Sequence, residues 1–216
     1  MLTPWGKICM IAIIDYDAGN IKSVEKALIA LEEQVVVTRN SEEILRADGV
    51  ILPGVGAFGD AMERLESYGL VETIARVAEL RTPLLGICLG LQLMFESSEE
   101  SPGVKGLGLL PGRILRIPGE GGLKVPHIGW NNLKFPNRGR LFQDLPEDSY
   151  VYFVHSYYLQ AKDTEIVTAT TEYGVQIHAS VEKDNIFACQ FHPEKSSGVG
   201  RKILQNFIAV VKGTEK

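Results

Sequence analysis

The chain reads as an α/β protein, a largely parallel sheet flanked by helices with additional antiparallel strands in its second half. Two observations predict this. In the first half, short β-branched runs alternate with stretches of helical apolar spacing, the pattern of parallel strands joined by crossover helices and covered on both faces. After Ser101 the pattern changes to strands separated by turn signals.

Residues 8–14 are apolar and β-branched and open the sheet. Ile21, Val24, Leu28 and Leu31 recur at helical spacing, with Asn20 placed to cap the helix. Residues 35–38 and 49–52 supply two more strands. Leu70, Ile74, Val77 and Leu80 mark another helix, and Thr82-Pro83-Leu84-Leu85 reads as the end of a buried strand. Residues 89–97 read as the first turns of a helix. Strands follow at 113–117, 130–135, 150–158, 166–171, 175–181 and 186–191, and residues 198–212 close as a helix. Pro118-Gly119-Glu120-Gly121-Gly122 is a flexible loop.

Composition bounds the answer. The 216 residues are 45% hydrophobic and 23% charged, the balance of an ordinary globular protein, and they suit one domain with no room for a second catalytic one. Residues 10–216 are read as that domain, and 1–9 as an N-terminal extension of uncertain role. A net charge of −5 argues against a nucleic-acid surface. No apolar run approaches the roughly 20 residues that span a bilayer. The opening MLTPWGKICMIAII has no small-residue cleavage pattern and runs into Asp15, so it is not read as a signal peptide. Cys9, Cys88 and Cys189 have no paired spacing, so neither disulfides nor a zinc site is indicated, which fits a cytoplasmic setting.

Gly86-Ile87-Cys88-Leu89-Gly90-Leu91-Gln92 lies between the buried strand and the helix. A nucleophile on a sharp strand-to-helix turn needs small residues two positions either side, and Gly86 and Gly90 occupy them. The helix start would favour thiolate at Cys88. A base follows far downstream, where residues 186–191 run into His192-Pro193-Glu194. Pro193 holds His192 extended, and side chains two apart on an extended chain share a face, so Glu194 can orient the imidazole. Cys189 has the opposite parity and is assigned to the core. His155 sits in an aromatic strand with no following carboxylate and is read as structural. His127 and His178 have no triad context either.

Together, GICLGLQ at 86–92 and QFHPEKS at 190–196 resemble the class I, triad-type glutamine amidotransferases. DYDAGNIKSV at 15–24, PGVGAFGDAM at 53–62, PHIGWN at 126–131 and YFVHSYY at 152–158 narrow the likeness to glutaminase subunits of imidazole glycerol phosphate synthases. The resemblance implies a Cys88–His192–Glu194 triad that hydrolyses glutamine without a cofactor or metal. It also implies a heterodimer with a (βα)8-barrel cyclase that receives the ammonia in histidine biosynthesis. One oxyanion donor would be the Leu89 N–H, and the other would come from Gly54-Val55-Gly56. Gly56, Gln92, Glu100 and the Ser156-Tyr157 backbone would hold glutamine. Asn20, Trp130, Tyr152 and Lys195 would lie near the partner, Trp130 being the one best suited to plain core.

Competing readings are weighed on residues. Gly54-Val55-Gly56-Ala57-Phe58-Gly59 matches a dinucleotide fingerprint, but the acidic residue that motif wants falls near Glu72, inside a helical pattern. An anthranilate or aminodeoxychorismate synthase glutaminase would share the chemistry, but Lys195, PHIGWN and YFVHSYY stand against it. A non-catalytic binding subunit conflicts with an intact triad.

Overall fold

The computed structural model describes residues 9–119 and 122–214, with the backbone of 2–3 and 6–7 before them. Within the N-terminal extension, residues 1, 4, 5 and 8 lie outside the described residues, as do Glu120 and Gly121 of the glycine-rich loop and the final two residues. Leu2–Thr3 (β1) pairs antiparallel with Gly6–Lys7 (β2). Then come Met10–Ile14 (β3), Ile21–Ile29 (α1), Gln34–Thr38 (β4), Ser41–Arg46 (α2), Gly49–Leu52 (β5), Phe58–Ser67 (α3), Leu70–Glu79 (α4), Leu84–Ile87 (β6) and Leu89–Leu93 (α5). The second half adds Ser97–Ser98 (β7), Gly112–Arg116 (β8), His127–Asn132 (β9), Tyr150–His155 (β10), Tyr157–Ala161 (β11), Val167–Glu172 (β12), Gln176–Lys183 (β13), Ile186–Cys189 (β14) and Ser197–Lys212 (α6).

The central sheet has the order β12-β13-β14-β6-β5-β3-β4. The five strands from β14 to β4 run parallel, and β13 and β12 extend the edge antiparallel. This is the α/β architecture expected. One face packs Ile44, Phe58, Met62, Leu65, Ile74 and Val77 of α2, α3 and α4. The other packs Val24 and Leu28 of α1 with Ile203, Leu204 and Phe207 of α6. Strands buried on both faces need continuous apolar runs, which is what β3, β5 and β6 carry.

Several elements differ from the sequence expectation. Residues 150–158 form two strands, not one: β10 pairs with β9 in a two-stranded sheet, whereas β11 joins β8 and β7. The break is visible in burial, because Val151, Phe153 and His155 alternate inward but Tyr158 continues the buried set out of phase. Helix α5 ends at Leu93, and its five residues are all buried. Two helices carry no expectation from sequence. In α3, Phe58, Ala61, Met62 and Leu65 form a full helical stripe directly behind the glycine-rich loop. In α2 only Ile44 is buried, too little for a period, although Asn40 caps it by accepting from the N–H groups of Glu42 and Glu43.

Candidate active site

Three adjacent parallel strands, β5, β6 and β14, deliver Pro53, Cys88 and His192 to the same edge of the sheet, beyond their carboxyl ends. Cys88 sits at φ 56°, ψ −108°, a conformation open to non-glycine residues only under constraint. Its N–H donates to the Cys189 carbonyl at 2.8 Å, tying the elbow to β14. The turn closes because position 90 is glycine: a Cβ there would stand 1.9 Å from the Leu52 carbonyl oxygen.

His192 is fully buried and extended, and its N–H donates to the Tyr152 carbonyl at 2.9 Å. Pro193–Lys195 then forms a 3-10 turn, so the chain does not continue extended as the sequence predicts. The turn still brings Glu194 round, and His192 Nδ1–H donates to Glu194 Oε1 at 2.7 Å. That leaves Nε2 buried and without a hydrogen-bond partner among the described residues, free to serve the thiol. Burial pushes the imidazole down, but the Cys88 sulfur beside it and the Glu194 carboxylate outweigh this and raise its pKa to about 9.

The segment expected to supply the oxyanion donors is held in a specific state. The Leu89 N–H donates to the Gly54 carbonyl at 3.3 Å, so the donor next to the nucleophile is already engaged. Tyr16 Oη–H donates to the Pro53 carbonyl at 2.7 Å, and a Cβ on Gly54 would lie 2.4 Å from that phenol oxygen. Beside Cys88 opens a cavity of about 300 Å3 lined by Val55, Gly56, Leu89, Gln92, Glu100, Ser156 and Tyr157, among others. A larger cleft of about 610 Å3 between β8, β11 and β13 contains none of the predicted site residues.

Residues 12–211 match the family model described as glutamine amidotransferase class-I. The chain belongs to the class-I glutamine amidotransferase family. A relative from Moorella thermoacetica named imidazole glycerol phosphate synthase subunit HisH is 54% identical over 202 residues, covering 94% of this chain and 95% of the relative. One of the same name from Methanocaldococcus jannaschii is 48% identical, covering 94% and 100%. The solved structure of PurLQS from Thermotoga maritima superposes with a TM-score of 0.70 at 21% identity, covering 94% of this chain and 99% of that one, which supports the fold alone.

In this amidotransferase the residues predicted to act on or hold the substrate fall into two groups. Cys88, Leu89, His192, Glu194 and the 54–56 segment meet at one edge. Gln92, Glu100, Ser156 and Tyr157 line the cavity. Glu100 is not a solvated charge: its Oε2 accepts from the Phe58 N–H at 2.8 Å, capping α3 behind the oxyanion segment. Asn20 departs from expectation. It stands at φ 73° with no side-chain cap for α1, and its amide instead donates to Glu194 Oε1 at 2.5 Å. Trp130 is not core but half exposed, edge-on to Tyr152 across β9 and β10, and Lys195 is exposed. Cys189 is buried as expected, and burial raises its thiol, yet it lies on the strand beside the nucleophile rather than far from it.

Gln190 opens the QFHPEKS motif, but the sequence assigns it no role, and the structure brings it to the site. Its fully buried amide accepts from Gln92 Nε2 at 3.0 Å and donates to Cys88 Sγ at 3.7 Å. The available signal was its parity with His192 on the same extended run.

Proposed function

We propose that this chain is the glutaminase subunit of an imidazole glycerol phosphate synthase, hydrolysing glutamine and passing ammonia to a (βα)8-barrel cyclase in a cytoplasmic heterodimer. Residues 10–216 act as one amidotransferase domain, and no role is assigned to 1–9. The observation that carries the chemistry is a buried Cys88–His192–Glu194 array opening on a cavity of about 300 Å3. With His192 raised to about 9, the imidazolium is present at neutral pH to stabilise a Cys88 thiolate. Sulfur attacks the side-chain carboxamide carbon of glutamine, and the oxygen takes the negative charge. His192 gives its proton to the departing ammonia, leaving a glutamyl thioester. Water, deprotonated by His192, then releases glutamate and restores the thiol. Glu194 holds the ring and its Nδ1 proton throughout.

The partner reading rests on two features. The outer face of β9 and β10 carries Ile128, Trp130, Tyr150 and Tyr152, three of them more than half exposed, beside the triad edge. Such a contiguous apolar and aromatic face suits an interface. Second, the Leu89 N–H is bound to Gly54, so the resting chain lacks a free pair of oxyanion donors. Rotation of the Gly54-Val55 peptide would release Leu89 and present the Val55 N–H. Asn20 and Lys195 lie at the same edge, where docking could bias that rotation.

Glutamate release by the purified chain, alone and with its cyclase plus the cyclase's nucleotide substrate, tests this. Near-silence alone and strong activation together are expected. Cys88→Ala should abolish glutamine turnover while ammonium salts still support the cyclase. Full activity from the single chain, unchanged by a partner, would point to a stand-alone amidase.

A further inference from the structure

The glutamine cavity is walled on one side by a hydrogen-bond chain that the triad does not use. His127 and His155 are directly opposed across β9 and β10, both buried, on the face opposite Trp130 and Tyr152. His155 Nδ1 lies 2.9 Å from the Tyr157 carbonyl oxygen, which can only accept, so Nδ1 carries the proton. His155 Nε2 is then an acceptor, and His127 Nδ1, 3.0 Å away, must be its donor. His127 Nε2 is left to accept from Asn131 Nδ2 at 3.5 Å, whose amide also donates to the Glu172 carbonyl. Every link has one consistent direction. The Tyr157 carbonyl on which the chain ends also accepts from Gln92 Nε2 at 3.1 Å, and both residues line the cavity.

We infer that His127 and His155 are positioning residues for glutamine binding, a one-way relay that fixes the Tyr157 carbonyl and, through it, the Gln92 amide. Neither ring touches the reacting atoms. Burial lowers His127 to about 4, and burial, outweighing the Tyr157 carbonyl that favours the charged ring, lowers His155 to about 3, so both are neutral at pH 7 and the single direction is kept. The His127 ring is stacked between Phe153 and Tyr173, with centroids at 4.9 and 3.9 Å, which holds its plane in line with His155. Because the relay lies on the back of the β9–β10 ribbon, it also joins the exposed aromatic face to the cavity wall. The inference rests on the glutaminase reading and names what holds that site's substrate wall.

Two substitutions separate positioning from packing. His127→Phe keeps the aromatic stack and removes the donor. His127→Asn removes the stack but sets an amide N–H near the position of Nδ1. In the heterodimer, His127→Phe should raise the glutamine KM about three- to tenfold, the value of one hydrogen bond, with kcat changed far less. His127→Asn should recover most of that loss. Equal KM values in the two variants, or a better value for His127→Phe, would overturn the inference and leave His127 a packing residue. Ring-nitrogen NMR on the wild-type chain gives an independent readout that needs no turnover. Both histidines should be neutral at pH 7 and protonated on Nδ1; a proton on Nε2 of either ring would break the relay. Should the wild type release no glutamate with its partner, the glutaminase reading fails, and the NMR outcome still decides whether the relay exists.

Discussion

Asn20→Gly offers the sharpest test of how the triad is held. Asn20 occupies a left-handed conformation at the start of α1, gives no side-chain hydrogen bond to the helix, and donates instead to Glu194 Oε1 at 2.5 Å. The Glu194 side chain is fully buried, its Oε2 has no partner among the described residues, and Oε1 is shared between Asn20 and His192. Removing the amide therefore leaves the carboxylate with the imidazole alone. A hydrogen bond to an ionised acceptor is worth about 1.5–3 kcal/mol. At about 1.4 kcal/mol per decade, kcat/KM should fall about ten- to hundredfold. Glycine is chosen because it accepts φ 73° without strain, whereas alanine would add about 1 kcal/mol of backbone cost and blur the result. The assay is glutamate release in the proposed heterodimer, paired with labelling of Cys88 by a glutamine-like electrophile in the single chain, which removes partner affinity from the comparison. Wild-type labelling and turnover by a folded Asn20→Gly would refute the argument. A loss of turnover with normal labelling would move Asn20 from the triad to the interface.

Two further outcomes follow from the same geometry. Gly54→Ala would place a Cβ 2.4 Å from Tyr16 Oη and 2.9 Å from Leu89 Cβ, so turnover should drop by about a hundredfold, the worth of one oxyanion donor, with thermal melting as the check on folding; normal turnover would count against the oxyanion role. The raised His192 value, about 9 against an ordinary 6.5, means its favourable contacts are fully present below pH 6.5 and are lost as pH climbs through about 9. The kcat/KM for glutamine should accordingly show a limb near pH 9 where the acid form disappears, and an alkaline limit near 6.5 would show that Cys88 and Glu194 do not hold the proton on His192.

The legible parts of this chain were those encoded within short windows. The elbow is one, since Gly90 is demanded by a carbonyl of the neighbouring strand and Cys88 lies between two glycines. The β/α alternation is another, because each parallel strand is a run of apolar residues. What was not legible depended on contacts across the sheet. Asn20 looks like a helix cap in sequence, and only a tertiary hydrogen bond to Glu194, 174 positions away, shows otherwise. Trp130 is apolar and flanked by strand residues, but which face of a two-stranded ribbon is covered is decided by register: Trp130 opposes Tyr152 outward while His127 opposes His155 inward. The split at Ser156 was hidden because both strands are aromatic, and the exchange of partners from β9 to β8 leaves no glycine or proline behind.

The resting state of the proposed oxyanion segment also sets a requirement on the proposed activation by a partner. The Leu89-to-Gly54 hydrogen bond, as an ordinary neutral pair, contributes about 0.5–1.5 kcal/mol. Alone it could suppress turnover by no more than about tenfold. Stronger suppression needs the segment to be restrained at both ends, and it is. The Tyr16 phenol holds the Pro53 carbonyl on one side, while Glu100 holds the Phe58 N–H, and with it the start of α3, on the other. The rotating peptide lies between two fixed points, so its carbonyl can turn only if the backbone at Gly54 and Gly56 absorbs the change. A partner shifts such an equilibrium only by the difference in its affinity for the two states. Activation of about a thousandfold would demand about 4 kcal/mol of that difference. Contacts confined to one exposed ion pair, worth about 0–1 kcal/mol, cannot supply it. The exposed aromatic face of β9 and β10 can, provided that docking there also reaches the triad edge through Tyr152, whose carbonyl accepts from His192 and whose N–H binds Ser196.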